Sequence, residues 1–272
     1  MTARLFIPWF RYHPFVVEVG HRQITIYPFS WMMWTGVVTT LILAALFAQE
    51  NGRSMRETMR FGIYILLLAF PISKLFNGLL YKPSTLRLLV ESPGSIAGVS
   101  FGWSVYGGVL GGILGAWLWK WRTGGSILEI GDSFGFGAPF GWCIGRVGCF
   151  LVHDHPGRVS SFPLAVADFQ LGEPPWPPRH DLGLYEAILL GSIAVLFLFL
   201  SRRPRKPGFY LALVGLLYAP ARFLLDFLRA PYEEGGDIRY GGLTPSQYVS
   251  VVLLFVAALV MRQVRATSDR PG

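Results

Sequence analysis

The chain has 272 residues, is 52% hydrophobic and only 15% charged, and carries a formal net charge of +8. Soluble domains are about 45–50% apolar and about 25% charged, so this composition, with a mean hydropathy of +0.45, excludes an ordinary water-soluble globule. It also excludes nucleic-acid binding, because no basic, aromatic-interleaved surface stands apart from the apolar runs; the basic excess fits positive-inside topology and attraction to anionic lipid.

The first 25 residues are broken by Pro8, Arg11, His13, Pro14 and Glu18 and lack the apolar core of a secretory signal peptide. They are expected to form an external segment. Seven spans are predicted, at 26–48, 61–80, 101–119, 127–144, 184–200, 208–228 and 246–262. The expected fold class is therefore an all-α polytopic membrane protein with a small external loop region. One domain is expected over 1–262, followed by a polar tail over 263–272. The first span opens on Tyr27, Trp31 and Trp34, an interfacial aromatic start.

The third span begins GVSFGWSVYGGVLGG. Gly107, Gly108, Gly111 and Gly112 recur at three- and four-residue spacing, which lets helices approach closely. Tyr106 at its external end offers a hydroxyl donor. The fourth span carries Glu129 and Asp132 among many glycines and is expected to be short, broken or partly re-entrant. Basic residues cluster in alternate connections: Arg53, Arg56 and Arg60; Lys120 and Arg122; Arg202, Arg203, Arg205 and Lys206; Arg262, Arg265 and Arg270. That side is expected to be cytoplasmic. The N-terminus and the loops 81–100, 145–183 and 229–245 then face the outside, and the C-terminus lies inside.

The residues 145–158, GRVGCFLVHDHPGR, concentrate the chemistry. Ionisable groups at a bilayer edge pair, line a cavity or react, and arginine grips planar anions such as phosphate with a bidentate fork. Arg146 either snorkels to headgroups or holds such an anion. Tyr218, Arg222, Asp226 and Arg229 share one helical face of the sixth span, which reads as a cationic stripe facing a wet pocket. Glu186, beside Tyr185 at the head of the fifth span, gains from the helix dipole. His153, Asp154 and His155 do not read as a metal site, since an extended H-D-H places alternate side chains on opposite sides and no second histidine cluster exists. Cys143 and Cys149, six apart, are open to a bridge on an oxidising face or to two free thiols.

In order along the chain, these motifs resemble the prolipoprotein diacylglyceryl transferase family over about residues 12–262. HPFVVEVGHRQITIYPFSW is similar to the family's opening, with His13, Pro14 and Tyr27. SVYGGVLGG resembles its third-span block, GRVGCFLVHDHPGR its signature, and LYEAILL, YAPARFLLDFLRAP and LTPSQYVS three later blocks. The resemblance implies transfer of a diacylglyceryl group from phosphatidylglycerol to the lipobox cysteine thiol of a prolipoprotein, with release of glycerol phosphate. It implies a bacterial inner membrane, a site towards the periplasm, and no metal or organic cofactor.

By the same resemblance the catalytic residues are Arg146, Arg222, Asp154 and, at the family's third-span position, Tyr106, with His153 added as a candidate base of this chain's own. Tyr27, Tyr218, Arg229, Asp226, Gly148, Gly157 and Arg158 bind substrate. The chain departs from the family pattern in several places. Tyr106 stands for a histidine, Cys149 and Val152 for asparagines, Asp154 for a glutamate and Lys74 for an arginine. A tyrosine of pKa about 10 is a poor base at neutral pH, so a relocated base is expected at His153 or His155. The competing readings are a phospholipid headgroup transferase with another acceptor, and a non-catalytic lipid-binding or transport protein.

Overall fold

Apolar runs too long for a soluble core satisfy their backbone groups internally as helices. The computed structural model describes residues 6–10, 12–20, 22–81 and 104–266. Its helices are α1 (Pro28–Glu50), α2 (Met55–Tyr81), α3 (Val105–Thr123), α4 (Ile127–Val152), α5 (Leu182–Leu200), α6 (Phe209–Leu225) and α7 (Pro245–Ala266). Among the described residues six helices are long and apolar enough to cross a membrane, and α3, the expected third span, is not one of them. Two short antiparallel pairs accompany the helices, β1 (Phe15–Val19) with β2 (Arg22–Ile26) and β3 (Pro156–Val159) with β4 (Arg179–Asp181). The expected external loop at 81–100 falls almost wholly outside the described residues, as do the start of the third span and the last six residues of the tail.

The chain divides into two compact units, Ala48–Ile130 and the remainder. In the first, α2 and α3 pack through Gly107 and Gly111 of the expected small residues and through Gly115, whereas a Cβ on Gly108 or Gly112 would meet nothing closer than 3.8 Å. A Cβ on Gly107 would lie 2.6 Å from the Ile72 carbonyl oxygen, on Gly111 2.6 Å from Ala69 Cα, and on Gly115 2.6 Å from the Tyr64 carbonyl oxygen. All three are backbone contacts, so nothing flexible can yield. Gly111→Val is therefore expected to destabilise the pair by about 1–3 kcal/mol, read as a lower thermal midpoint in detergent. An unchanged midpoint would contradict this packing.

In the other unit α1 and α4 approach through Gly36, Gly137, Gly141 and Gly148, where a Cβ on Gly137 would lie 2.8 Å from the Thr40 carbonyl oxygen. The fourth span is not broken or re-entrant. It is one helix of 26 residues with Pro139 inside it, and it continues past Arg146 and Cys149. Gly137, Gly141 and Gly148 are contact points for α1, and Gly131 and Gly135 for α6, rather than breaks. Asp132 is used by a neighbour: its Oδ1 accepts from the backbone N–H of Tyr210 at 2.7 Å and of Leu211 at 3.3 Å. It thereby caps the start of α6, whose own N-cap Gly208 has no side chain to do so.

An aromatic core of Phe47, Phe136, Phe197, Tyr210 and Tyr218 with Leu190 and Ile193 joins α1, α4, α5 and α6. Phe47 stacks on Phe136 with centroids 4.2 Å apart. At the far end, Thr244-Pro-Ser-Gln247 forms a reciprocal capping box for α7. The Thr244 N–H donates to Gln247 Oε1 at 2.9 Å, and the Gln247 N–H donates to Thr244 Oγ1 at 3.3 Å.

Candidate active site

The end of α4 sets the geometry of the signature. His153 adopts φ 51°, the left-handed region, where histidine is more frequent than most non-glycine residues. Its N–H bonds the Phe150 carbonyl at 3.3 Å and the Asp154 N–H bonds the Cys149 carbonyl at 3.4 Å. This is a Schellman motif with His153 in the position glycine usually takes. The His153 ring turns inward: Nδ1 meets Asp181 Oδ2 at 2.6 Å and Nε2 meets the Phe10 carbonyl at 2.9 Å. Trp9 stacks on it at 4.6 Å, with Phe10, Phe150 and Phe169 around it.

Asp181 has a second task. Its Oδ1 accepts from the Leu184 N–H at 3.1 Å and caps α5. β4 runs directly into that helix, so the His153–Asp181 contact fixes the head of α5 against the end of α4. Glu186 sits in the second turn of α5, and its side chain is 0% exposed. Burial of a carboxylate requires close partners, and they come from two other helices. Arg146 Nη2 of α4 lies 3.0 Å from Glu186 Oε2. From α6, Tyr218 Oη donates to the same oxygen at 2.6 Å, and Arg222 Nε lies 3.6 Å from Oε1.

A second buried carboxylate continues the array. Asp226 Oδ1 accepts from Arg222 Nη1 and from Arg229 Nε, the latter at 3.0 Å, and its Oδ2 accepts from Thr244 Oγ1. Arg229 also reaches Asp237 at 3.4 Å, and Arg239 donates to the Asp226 carbonyl oxygen at 3.0 Å. Three guanidiniums, of Arg146, Arg222 and Arg229, thus face two fully buried carboxylates, of Glu186 and Asp226. The half-exposed Asp237 adds a third carboxylate beside Arg229. Arg146 Nε is buried with no hydrogen-bond partner among the described residues, so the guanidinium retains a donor for an anion.

Beyond the turn the chain returns past Arg146. Arg146 Nη1 donates to His155 Nε2 at 3.1 Å, and His155 Nδ1 lies 2.5 Å from Asp154 Oδ1. Cys149 Sγ is 3.8 Å from Arg146 Nη1, and both cysteines are free thiols. Donor atoms of Cys149, Asp154 and His155 lie within 4.8 Å of one another. The Arg146 guanidinium stands against two of the three, placing a fixed positive charge where a cation would have to bind. The set therefore does not fit a metal. Nearby, His180 Nδ1 lies 2.7 Å from Tyr185 Oη, and burial lowers the His180 imidazole from its ordinary value.

Of the residues expected from the sequence, Arg146, Tyr218, Arg222, Asp226 and Arg229 meet in one network, and Asp154 joins it through His155. Gly148 and Gly157 are close-packing positions: a Cβ would lie 2.7 Å from Met32 Cβ at the first and 2.8 Å from the His180 carbonyl oxygen at the second. Arg158 and Tyr27 are exposed, and Tyr106 is a half-buried residue in the first turn of α3, in the other unit. Glu186, Thr244 and Arg239 were not assigned site roles from the sequence. Glu186 had a signal, a carboxylate in the apolar LYEAILL, although the helix dipole already accounted for it. Thr244 had the capping-box spacing.

Comparisons with known proteins place the chain among its relatives. The "Prolipoprotein diacylglyceryl transferase" family profile matches residues 14–263. The chain is 27% identical over 259 residues to the phosphatidylglycerol–prolipoprotein diacylglyceryl transferase of Azotobacter vinelandii, covering 94% of this chain and 95% of that protein. It is 35% identical over 151 residues to the same-named protein of Chromohalobacter salexigens, 55% of each chain. With that of Nitratidesulfovibrio vulgaris (strain Miyazaki F) it is 34% identical over 173 residues, 63% of this chain and 64% of that protein. The more identical matches thus span little more than half the length of those relatives, whereas the family profile spans nearly the whole chain. On that match, the chain belongs to the prolipoprotein diacylglyceryl transferase family.

Proposed function

We propose that this protein transfers the diacylglyceryl group of phosphatidylglycerol to the lipobox cysteine thiol of a prolipoprotein. The thiol sulfur attacks the sp3 glyceryl carbon that bears the phosphate. A C–S bond forms, the C–O bond breaks, and glycerol phosphate leaves with the electron pair. The observation that carries this reading is the convergence of Arg146 and Arg222 from two helices on Glu186, with Arg146 Nε without a hydrogen-bond partner among the described residues. A preorganised cationic pair of this kind stabilises charge as it develops on a departing phosphate.

Arg146 and Arg222 hold the phosphate, and Arg229 adds charge behind them. Tyr218 and Asp226 orient the guanidiniums. Tyr27 and Arg158 supply further contacts to the lipid headgroup. Gly148 and Gly157 let the backbone approach closely, and His153 positions the turn rather than moving a proton, because both ring nitrogens already face oxygen atoms. The acyl chains have an adjacent place, an apolar groove of about 570 Å³ between α5 and α6 lined by Tyr185, Ile188, Ser192, Leu224, Leu225 and Leu228. The protein sits in the bacterial inner membrane with seven spans, its N-terminus and site towards the periplasm and its C-terminus in the cytoplasm, in keeping with the basic loops. No metal or organic cofactor takes part.

The test is mass spectrometry of a lipobox-cysteine peptide incubated with the purified protein and phosphatidylglycerol. A gain of one diacylglyceryl mass on the cysteine is expected. An unmodified peptide alongside retained lipid would favour a lipid-binding protein, or a transferase with another acceptor.

A further inference from the structure

Thiol attack needs a thiolate, yet the family's third-span histidine is Tyr106 here. We infer that His155, oriented by Asp154, takes the proton from the acceptor thiol. This inference rests on the transferase reading above. Three observations carry it. First, the Schellman turn sends His153 inward and lets the chain return so that His155 Nε2 meets Arg146 Nη1 at 3.1 Å. Second, Asp154 Oδ1 lies 2.5 Å from Nδ1, which places the ring proton on Nδ1 and leaves Nε2 as the acceptor. Third, the His155 side chain is 23% exposed, accessible as a proton acceptor must be, whereas His153 is enclosed at 1%.

A carboxylate–imidazole pair with its second nitrogen beside the reacting groups is the arrangement general-base catalysis requires. In the resting protein the Nε2 lone pair is held by Arg146. When the phosphate engages that guanidinium, Nη1 turns to the phosphate and Nε2 is released for the thiol, so lipid binds before thiol. The thiol S–H bond then breaks with its proton passing to Nε2, the sulfur electron pair forms the C–S bond, and the C–O bond pair leaves on glycerol phosphate. The imidazolium formed, stabilised by Asp154, returns its proton to the departing phosphate.

The charged and titratable groups facing this ring are Arg146 and Cys149 of α4, Asp154 of its own turn and, through Arg146, Glu186 of α5 with Tyr218 of α6 behind it. The experiment compares wild type with His155→Gln, whose amide oxygen still accepts from Arg146 but is not basic. Thioether formation is followed from pH 6.5 to 9, with phosphatidylglycerol binding measured in parallel. At pH 6.5 the variant is expected to lose about 10²-fold or more in rate with unchanged lipid affinity. The deficit should shrink towards pH 9 as the acceptor thiol, of pKa about 8.5, ionises unaided.

A variant equal to wild type across the range would overturn the inference. So would a loss of the same size at every pH together with weaker lipid binding, which would make His155 only a support for Arg146. Should the glutamine variant not fold, Asp154→Asn carries the same test, since it removes the orienting carboxylate and should give a smaller deficit with the same pH trend. A wild-type protein that forms no thioether at any pH would instead sink the transferase reading, and this inference with it.

Discussion

Arg146→Ala is expected to lower kcat/KM for thioether formation by about 10²–10³-fold, the usual cost of removing one preorganised donor from a developing oxyanion. The Glu186 ion pair at 3.0 Å holds the guanidinium in place while its Nη1 passes from His155 to the lipid phosphate. Loss of the guanidinium removes a charge and a fork together. The variant should still fold, because Glu186 retains Tyr218 at 2.6 Å and the Arg222 ion pair at 3.6 Å. Arg146→Lys keeps the charge without the fork and should fall between the two. A loss below tenfold for the alanine variant, measured with saturating lipid, would remove Arg146 from the reaction.

The largest stability effect is expected at Asp226. Its fully buried carboxylate holds Arg222, Arg229 and Thr244 at once. Asp226→Ala leaves two guanidiniums buried beside each other, and breaking a buried pair from one side costs about 3–5 kcal/mol. Differential scanning fluorimetry in detergent should show this as a fall in Tm of roughly ten degrees. Phosphatidylglycerol brings an anion to the same cluster, so added lipid should raise the variant's Tm more than the wild type's. Equal lipid-induced shifts would mean that the phosphate does not meet these arginines.

The helices were legible because long apolar runs leave the backbone no other solution, and the glycines at 107 and 111 announced a close helix contact without naming α2 as its partner. The fourth span misled because its glycines and acids read as local weakness. In three dimensions Asp132 caps α6 and Gly137 and Gly141 meet α1, information held by the partner helices and not by the segment itself. Glu186 was visible as an acid in an apolar run, but the face it occupies depends on how α5 is phased against α4 and α6. His153 and His155 looked equivalent in sequence. A left-handed turn at a non-glycine residue separates them, burying one ring and presenting the other to Arg146. Of the stripe Tyr218, Arg222, Asp226 and Arg229, only the first two lie on the α-helix; it ends at Leu225, and a single 3-10 turn, Asp226–Leu228, with Arg229 extended after it carries the other two to the same cluster.

The most direct test of the account is a single reaction with phosphatidylglycerol labelled in both its diacylglyceryl and its glycerol phosphate portions, a lipobox-cysteine peptide and the purified protein. Equal molar amounts of thioether-linked diacylglyceryl peptide and free glycerol phosphate are predicted, both lost together in Arg146→Ala. Headgroup release without thioether, or bound lipid with neither product, would contradict it.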